Sequence, residues 1–290
     1  NMRIKESELI LNSDGSVYHL NLKPEQISEN IVFVGDQDRV EKITKHFDSI
    51  EFSVQKREFK TQTGTYKGKR LTVISTGIGS GNIDIVLNEL DALVNIDLEK
   101  RILKKQLKSL KIVRIGTSGS LQSDIPVDSF LLSTHALDLN GMLHFYKIDG
   151  ITNPVLEAAF IKHTQWNSNK SKPIVIKNNH ELERLFESNQ TFKGMTATKG
   201  GFYGPQGRVL RLAIEDPLLN NKMDSFSYNG IRVSNLEMET SAIYGLSKLL
   251  GHQALSLNAI IANRANGTFS KNPDMVVEKL IKYTLDKFVE

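Results

Sequence analysis

No cysteine occurs in the 290 residues, which removes disulfides, thiolate nucleophiles and cysteine-ligated zinc and gives no reason to expect an oxidising compartment. No stretch has the apolar length needed to cross a bilayer. The opening residues, Asn1-Met2-Arg3-Ile4-Lys5, lack the apolar centre of a secretory signal. Asn1 ahead of Met2 reads as a remnant outside the fold, and the expectation is a soluble, cytoplasmic protein. Proline is scarce, at 7 residues, and no Pro/Ser-rich linker, internal repeat or low-complexity tract divides the chain. Residues 1–290 are therefore expected to form one domain, with 1–17 as an N-terminal extension. A basic stripe is missing too. The 37 Lys and Arg are dispersed among 33 Asp and Glu for a net charge of +4, which argues against nucleic-acid and membrane partners and fits small anionic substrates.

Strand and helix patterns alternate along the chain. Residues 31–35 are β-branched and closed by glycine, and 38–47 have helical spacing at Val40, Ile43 and Phe47. Segments 51–66 and 69–76 alternate around Lys67-Gly68-Lys69, a hairpin signal. Thr76-Gly77-Ile78-Gly79-Ser80-Gly81 then leads into apolar positions Ile83, Val86, Leu87, Leu90, Leu93 and Val94, so a glycine-rich loop feeds an amphipathic helix whose first amides can face an anion. The charged stretch 97–108 reads as a solvated helix face. Further strands are expected at 111–115, 129–132, 173–177 and 254–262, and helices at 154–166, 181–186 and 239–250, the last ended by Gly251. A terminal helix carries Val276, Val277, Leu280, Ile281, Thr284, Leu285 and Phe288 on one face. The fold class is α/β: a three-layer α/β/α domain around a central mixed, partly barrel-like sheet.

Four distant segments set an arginine beside glycine, aspartate or an amide: Val34-Gly35-Asp36-Gln37-Asp38-Arg39, Arg114-Ile115-Gly116-Thr117-Ser118-Gly119, Phe202-Tyr203-Gly204-Pro205-Gln206-Gly207-Arg208 and Ala262-Asn263-Arg264. A fifth, Asn235-Leu236-Glu237-Met238-Glu239, brings carboxylates to the start of an apolar helix. Guanidinium groups bind phosphate in a rigid, two-pronged geometry and stay charged, and glycine lets backbone N–H groups approach an oxyanion. Taken singly, each arginine is an ordinary surface ion-pair former. Together they point to group transfer between phosphate and a glycoside.

In this order the segments resemble the uridine phosphorylase branch of the nucleoside phosphorylase family, from about His19 to the terminal helix. Tyr18-His19-Leu20-Asn21-Leu22, Lys56-Arg57-Glu58-Phe59, Ser75-Thr76-Gly77-Ile78-Gly79 and Leu143-His144-Phe145 extend the match. The resemblance implies a phosphate site from Gly35, Arg39, Arg114 and Thr117, completed by Arg57 of a neighbouring subunit. It assigns Glu239, Met238 and Thr117 to the ribose, with His19 of the neighbour near the 5′ hydroxyl. Gln206 and Arg208 fall on the carbonyl and imide edge of uracil, with Phe202, Leu236, Ile261 and Arg264 around the base. Arg208, Gln206, Glu239 and Arg114 carry the chemistry, which needs no metal and no cofactor beyond inorganic phosphate as co-substrate. Some relatives hold a monovalent cation at the dimer interface near positions matching Glu58 and Ser75. The shared His19 and Arg57 imply a homodimer as the smallest active unit, and the family builds hexamers as trimers of dimers.

Purine-cleaving relatives place an aspartate where Arg264 stands, to share a proton with the purine. Gly81-Asn82 and Asp84 depart from the usual loop, and Leu236 replaces an aromatic residue. A purine nucleoside phosphorylase or nucleosidase of the same fold, and a catalytically weak nucleoside-binding protein, remain alternatives. A dinucleotide binder does not fit, because Gly77-Ile78-Gly79-Ser80-Gly81 lacks the G-x-G-x-x-G spacing.

Overall fold

The computed structural model describes residues 2–290. Alternation of short β-branched runs with amphipathic stretches produces β1 (Asn30–Val34), α1 (Asp38–Thr44), β2 (Ser49–Lys56), β3 (Phe59–Tyr66), β4 (Lys69–Ser75) and α2 (Ser80–Asn95). The small hairpin β5 (Ile96–Asp97) and β6 (Ile102–Leu103) precedes β7 (Lys111–Ser120), β8 (Phe130–Asp138), α3 (Pro154–Thr164), β9 (Ile174–Lys177), α4 (His180–Phe186) and β10 (Thr191–Thr198). The chain ends with α5 (Leu219–Asp224), β11 (Ser227–Tyr228), β12 (Ile231–Glu237), α6 (Thr240–Leu250), β13 (Gln253–Asn263), β14 (Thr268–Phe269) and α7 (Pro273–Phe288). Helices α3, α4 and α7 start at asparagines whose side chains accept an N–H from the first turn: Asn153 from Leu156, Asn179 from Leu182 and Asn272 from Met275.

One mixed sheet runs in the order β11-β12-β10-β8-β13-β7-β1-β4-β3-β2, and β12 pairs again with β7. That second pairing, Asn235 with Ser120 and Leu236 with Gly119, closes β7, β13, β8, β10 and β12 into a ring, the barrel-like part of the sheet. Strands β4, β1, β7 and β13 are parallel to one another, and β8, β10 and β12 form a second parallel set. The two sets meet antiparallel where β13 lies against β8. Because side chains alternate across a strand, Ile31 and Phe33 of β1 pack with α2 and α6 on one face, while Val32 and Val34 pack with α1, α4 and α7 on the other. A third cluster sits under α3 and α5.

Some local expectations are corrected. Residues 97–108 form no helix: the β5–β6 hairpin turns at Arg101, whose Nη1 donates to the Leu9 carbonyl at 2.6 Å and whose carbonyl accepts the Ile4 N–H at 2.7 Å. Tertiary bonds to the N-terminal segment override the helical propensity there. Segment 51–66 is two strands rather than one, broken at Arg57 with φ 54°. Strands β7 and β8 run well past the expected 115 and 132. Neither β10 nor β12 was apparent in the pattern, because both carry polar side chains into the interior, where partners take them up: Thr196 donates to Asn235 at 2.8 Å and Thr198 to Glu237 at 2.7 Å.

Candidate active site

The C-terminal ends of β1, β4, β7, β12 and β13 converge on a cavity of about 910 Å³. Arg114 projects from β7 into it. Its Nη2 donates to Glu239 Oε1 at 2.8 Å, its Nη1 lies 3.8 Å from Glu237 Oε1, and the residue is only 6% exposed. Positions two apart share a strand face, so the guanidinium lies across Gly116. A Cβ there would stand 2.1 Å from Nη1. Burial opposes the charge of Arg114, but Glu237 and Glu239 outweigh it and hold the guanidinium above its ordinary pKa.

Arg39, the second residue of α1, is different. Burial and the nearby charge of Arg114 push it down, and its Nε is buried without a partner among the described residues. Two guanidinium groups side by side, one of them unsatisfied, favour a bound anion. Gly35, at the end of β1, borders the same corner and accepts the Gly77 N–H at 3.0 Å.

Glu239 precedes α6. Its Oε2 accepts the Gly79 N–H at 2.8 Å, so this amide of the glycine-rich loop faces a side-chain carboxylate. Each Glu239 oxygen keeps a lone pair for a further donor. Glu237 is the anchor beneath: it accepts from Thr198 Oγ1, Thr240 Oγ1 and the N–H groups of Thr240 and Glu239 at 2.6–3.0 Å. Burial pushes its carboxyl up, with Arg114 opposing. Asn82, the departure in the loop, donates to Glu58 and to the Thr76 carbonyl at 3.0 Å, tying the loop to the β2–β3 turn. Ser75 is spent on the same turn, donating to the Glu58 carbonyl at 2.7 Å.

At the other end, the 202–208 loop is folded on itself. Arg208 Nη1 donates to Gln206 Oε1 at 2.9 Å and to the Phe202 carbonyl at 2.6 Å, and its guanidinium lies 3.9 Å from the Phe202 ring centre. Gln206 Nε2 donates to the Gly201 carbonyl at 3.1 Å, and Arg264 Nη1 to the Gln206 carbonyl at 3.0 Å. This fixes the amide of Gln206 while leaving it one N–H and one lone pair. Ile261 is the extra residue of a bulge between the pairs Ile260–Ser118 and Ala262–Gly119, which turns it into the cavity.

The structure thus brings Gly35, Arg39, Arg114, Thr117, Phe202, Gln206, Arg208, Leu236, Met238, Glu239, Ile261 and Arg264 together on one cavity. It does not place His19 or Arg57 there. His19 Nδ1 lies 2.5 Å from Glu89 of α2, and Arg57 is exposed at the β2–β3 turn. Glu58, Ile78, Asn82 and Glu237, which the sequence motifs contain without a place among the predicted site residues, and Phe269, which no motif contains, also line the cavity. In the sequence the available signal for Ile78 is an isoleucine set between two glycines; in the structure it is 73% exposed. Phe269 gave none, since it arrives only when β14 folds back on β13.

Residues 30–289 match the phosphorylase superfamily. A nucleoside phosphorylase of Trypanosoma brucei that shows uridine phosphorylase activity is 30% identical with a TM-score of 0.87, over 97% of this chain and 99% of that one. The uridine phosphorylase of Thermococcus kodakarensis is 27% identical over 272 residues, 89% of this chain and 81% of its own. A DeoD-type purine nucleoside phosphorylase of Streptococcus suis is 26% identical over 255 residues, 86% of this chain and 87% of its own. With nearly the whole sequence matched and the fold shared from end to end, the chain belongs to the phosphorylase superfamily.

Proposed function

We propose that the protein is a uridine phosphorylase, converting uridine and phosphate into uracil and α-D-ribose 1-phosphate. The observation that carries the reading is the unsatisfied Arg39 beside Arg114, set across one cavity from the Gln206–Arg208–Arg264 cluster: an anion site facing a polar-heterocycle site. Phosphate held by Arg39, Arg114, Gly35 and Thr117 attacks the anomeric carbon. The carbon–nitrogen bond breaks with its electron pair leaving on uracil, and the ring carbon inverts. Glu239 takes the ribose hydroxyls and Met238 packs beneath the sugar. Negative charge growing on the base meets Gln206 and Arg208, donors already fixed by their own bonds. Arg264 offers a cation where proton sharing with a purine needs an acid.

His19 and Arg57 lie together outside this cavity, close enough that both act on Glu58, which lines it. We assign them to the cavity of a second copy, which makes a homodimer the working unit. The deciding experiment compares uridine, thymidine, inosine and methylthioadenosine, each with and without phosphate, by release of free base. Uracil release that requires phosphate is expected. Cleavage without phosphate makes the protein a nucleosidase, faster turnover of inosine makes it a purine enzyme, and binding without cleavage makes it a nucleoside-binding protein; each overturns the reading.

A further inference from the structure

Behind the 202–208 loop lies a second cavity, of about 720 Å³, walled by residues 210–216, by Trp166 and Lys170 of the segment that follows α3, and by the start of α5. Its lining is apolar at Leu139, Trp166, Pro205, Ile214 and Leu219. Lys199 also lines it. This lysine follows β10, its backbone N–H is fixed on the Glu237 carbonyl at 2.8 Å, and the residue is 3% exposed. Among the described residues no acceptor comes within hydrogen-bonding reach of its ammonium. The acids of the cavity are already paired, Glu215 with Lys170 at 2.7 Å and Asp216 with Lys222 at 2.9 Å. A buried, unpaired ammonium is costly unless an anion joins it.

We infer that this cavity is a second ligand site for a small amphipathic acid, its carboxylate on Lys199 and its apolar body between Trp166 and Leu219. A volume of this size is ordinary for a small-molecule site. Burial, together with the charges of Lys170 and Arg264, lowers the Lys199 pKa to about 8, which leaves the ammonium charged at neutral pH. Arg208 borders both cavities, so an occupant here bears on the base end of the first one. The inference goes beyond the reaction proposed above and does not need it.

Trp166 is the chain's sole tryptophan, and it serves as the reporter. Energy transfer from Trp166 to 8-anilinonaphthalene-1-sulfonate measures probe binding to the intact protein, and octanoate and octanol are then titrated as competitors. Octanoate is expected to displace the probe about tenfold better than octanol, the equivalent of about 1.4 kcal/mol for the head-group contact. Lys199→Met should erase that preference and Lys199→Arg should restore it, with thermal unfolding checking that both variants fold. Equal displacement by acid and alcohol in the wild-type protein, which requires no variant to fold, overturns the inference. So does an unchanged octanoate preference in Lys199→Met. Because the readout is binding, a failure of the uridine reaction leaves this result standing.

Discussion

At Arg114 the pairing with Glu239 and the bare backbone of Gly116 belong to one arrangement: the guanidinium reaches its carboxylate only by lying where a Cβ would be. Gly116→Ala is therefore expected to displace the guanidinium and raise the KM for phosphate about tenfold or more, the cost of one misplaced charge-assisted bond. Initial rates across phosphate concentrations check it, and an unchanged KM would show that the contact is dispensable. Arg208→Ala removes a fixed donor from the base end and should lower kcat by about 10²–10³ while the unfolding temperature holds; full turnover in the variant refutes the assignment. His135 supplies a pH test. Burial and Lys177 lower its pKa from 6.5 to about 4. The unfolded chain thus takes up a proton that the folded one refuses between those values, and stability falls as pH drops through that window. His135→Gln should flatten the unfolding temperature against pH between 6.5 and 4, and parallel curves for the two proteins would contradict it.

Among the elements, α6 has the most direct bearing on the site, since Glu239 stands at its start. It packs against α2 and against the short turn Met142–Phe145. Gly245 lets it approach: a Cβ there would lie 2.6 and 2.8 Å from the two Leu143 methyls. Gly245→Ala should destabilise the protein by about 1–3 kcal/mol through overpacking, measured by denaturant unfolding. A neutral effect would mean that Leu143 finds another rotamer. The sequence marked α2, α6 and α7 well, because their apolar positions recur at helical spacing and Gly251 closes α6. It did not mark β10 and β12. Their interior positions are Thr196, Thr198, Asn235 and Glu237, polar groups that a periodicity argument sends to solvent, and only strands pairing across the sheet supply their hydrogen bonds.

For the whole molecule, the cavity is made where β7 and β12, members of two parallel strand sets that run in opposite directions, meet at their C-terminal ends. His19 and Arg57 stay outside it in the single chain. If both serve a second copy, Arg39→Ala and Arg57→Ala, each inactive alone, should regain phosphorolysis when unfolded and refolded together, because one site of the mixed dimer then carries neither change. Failure of the mixture to recover activity would show that the residues act within their own chain or not at all.

What the sequence determined by itself was local: the alternating α/β pattern, the glycine-rich loop, and the arginines, amides and carboxylates whose types already carry the chemistry of an anion beside a glycoside. The tertiary structure decided the rest. The ring closed by β7 and β12, the Ile261 bulge, the unpaired Lys199 and the placing of Phe269 depend on contacts between residues distant in the chain. Side-chain periodicity records which way a residue faces along its own strand or helix, and holds nothing about which other strand it will meet.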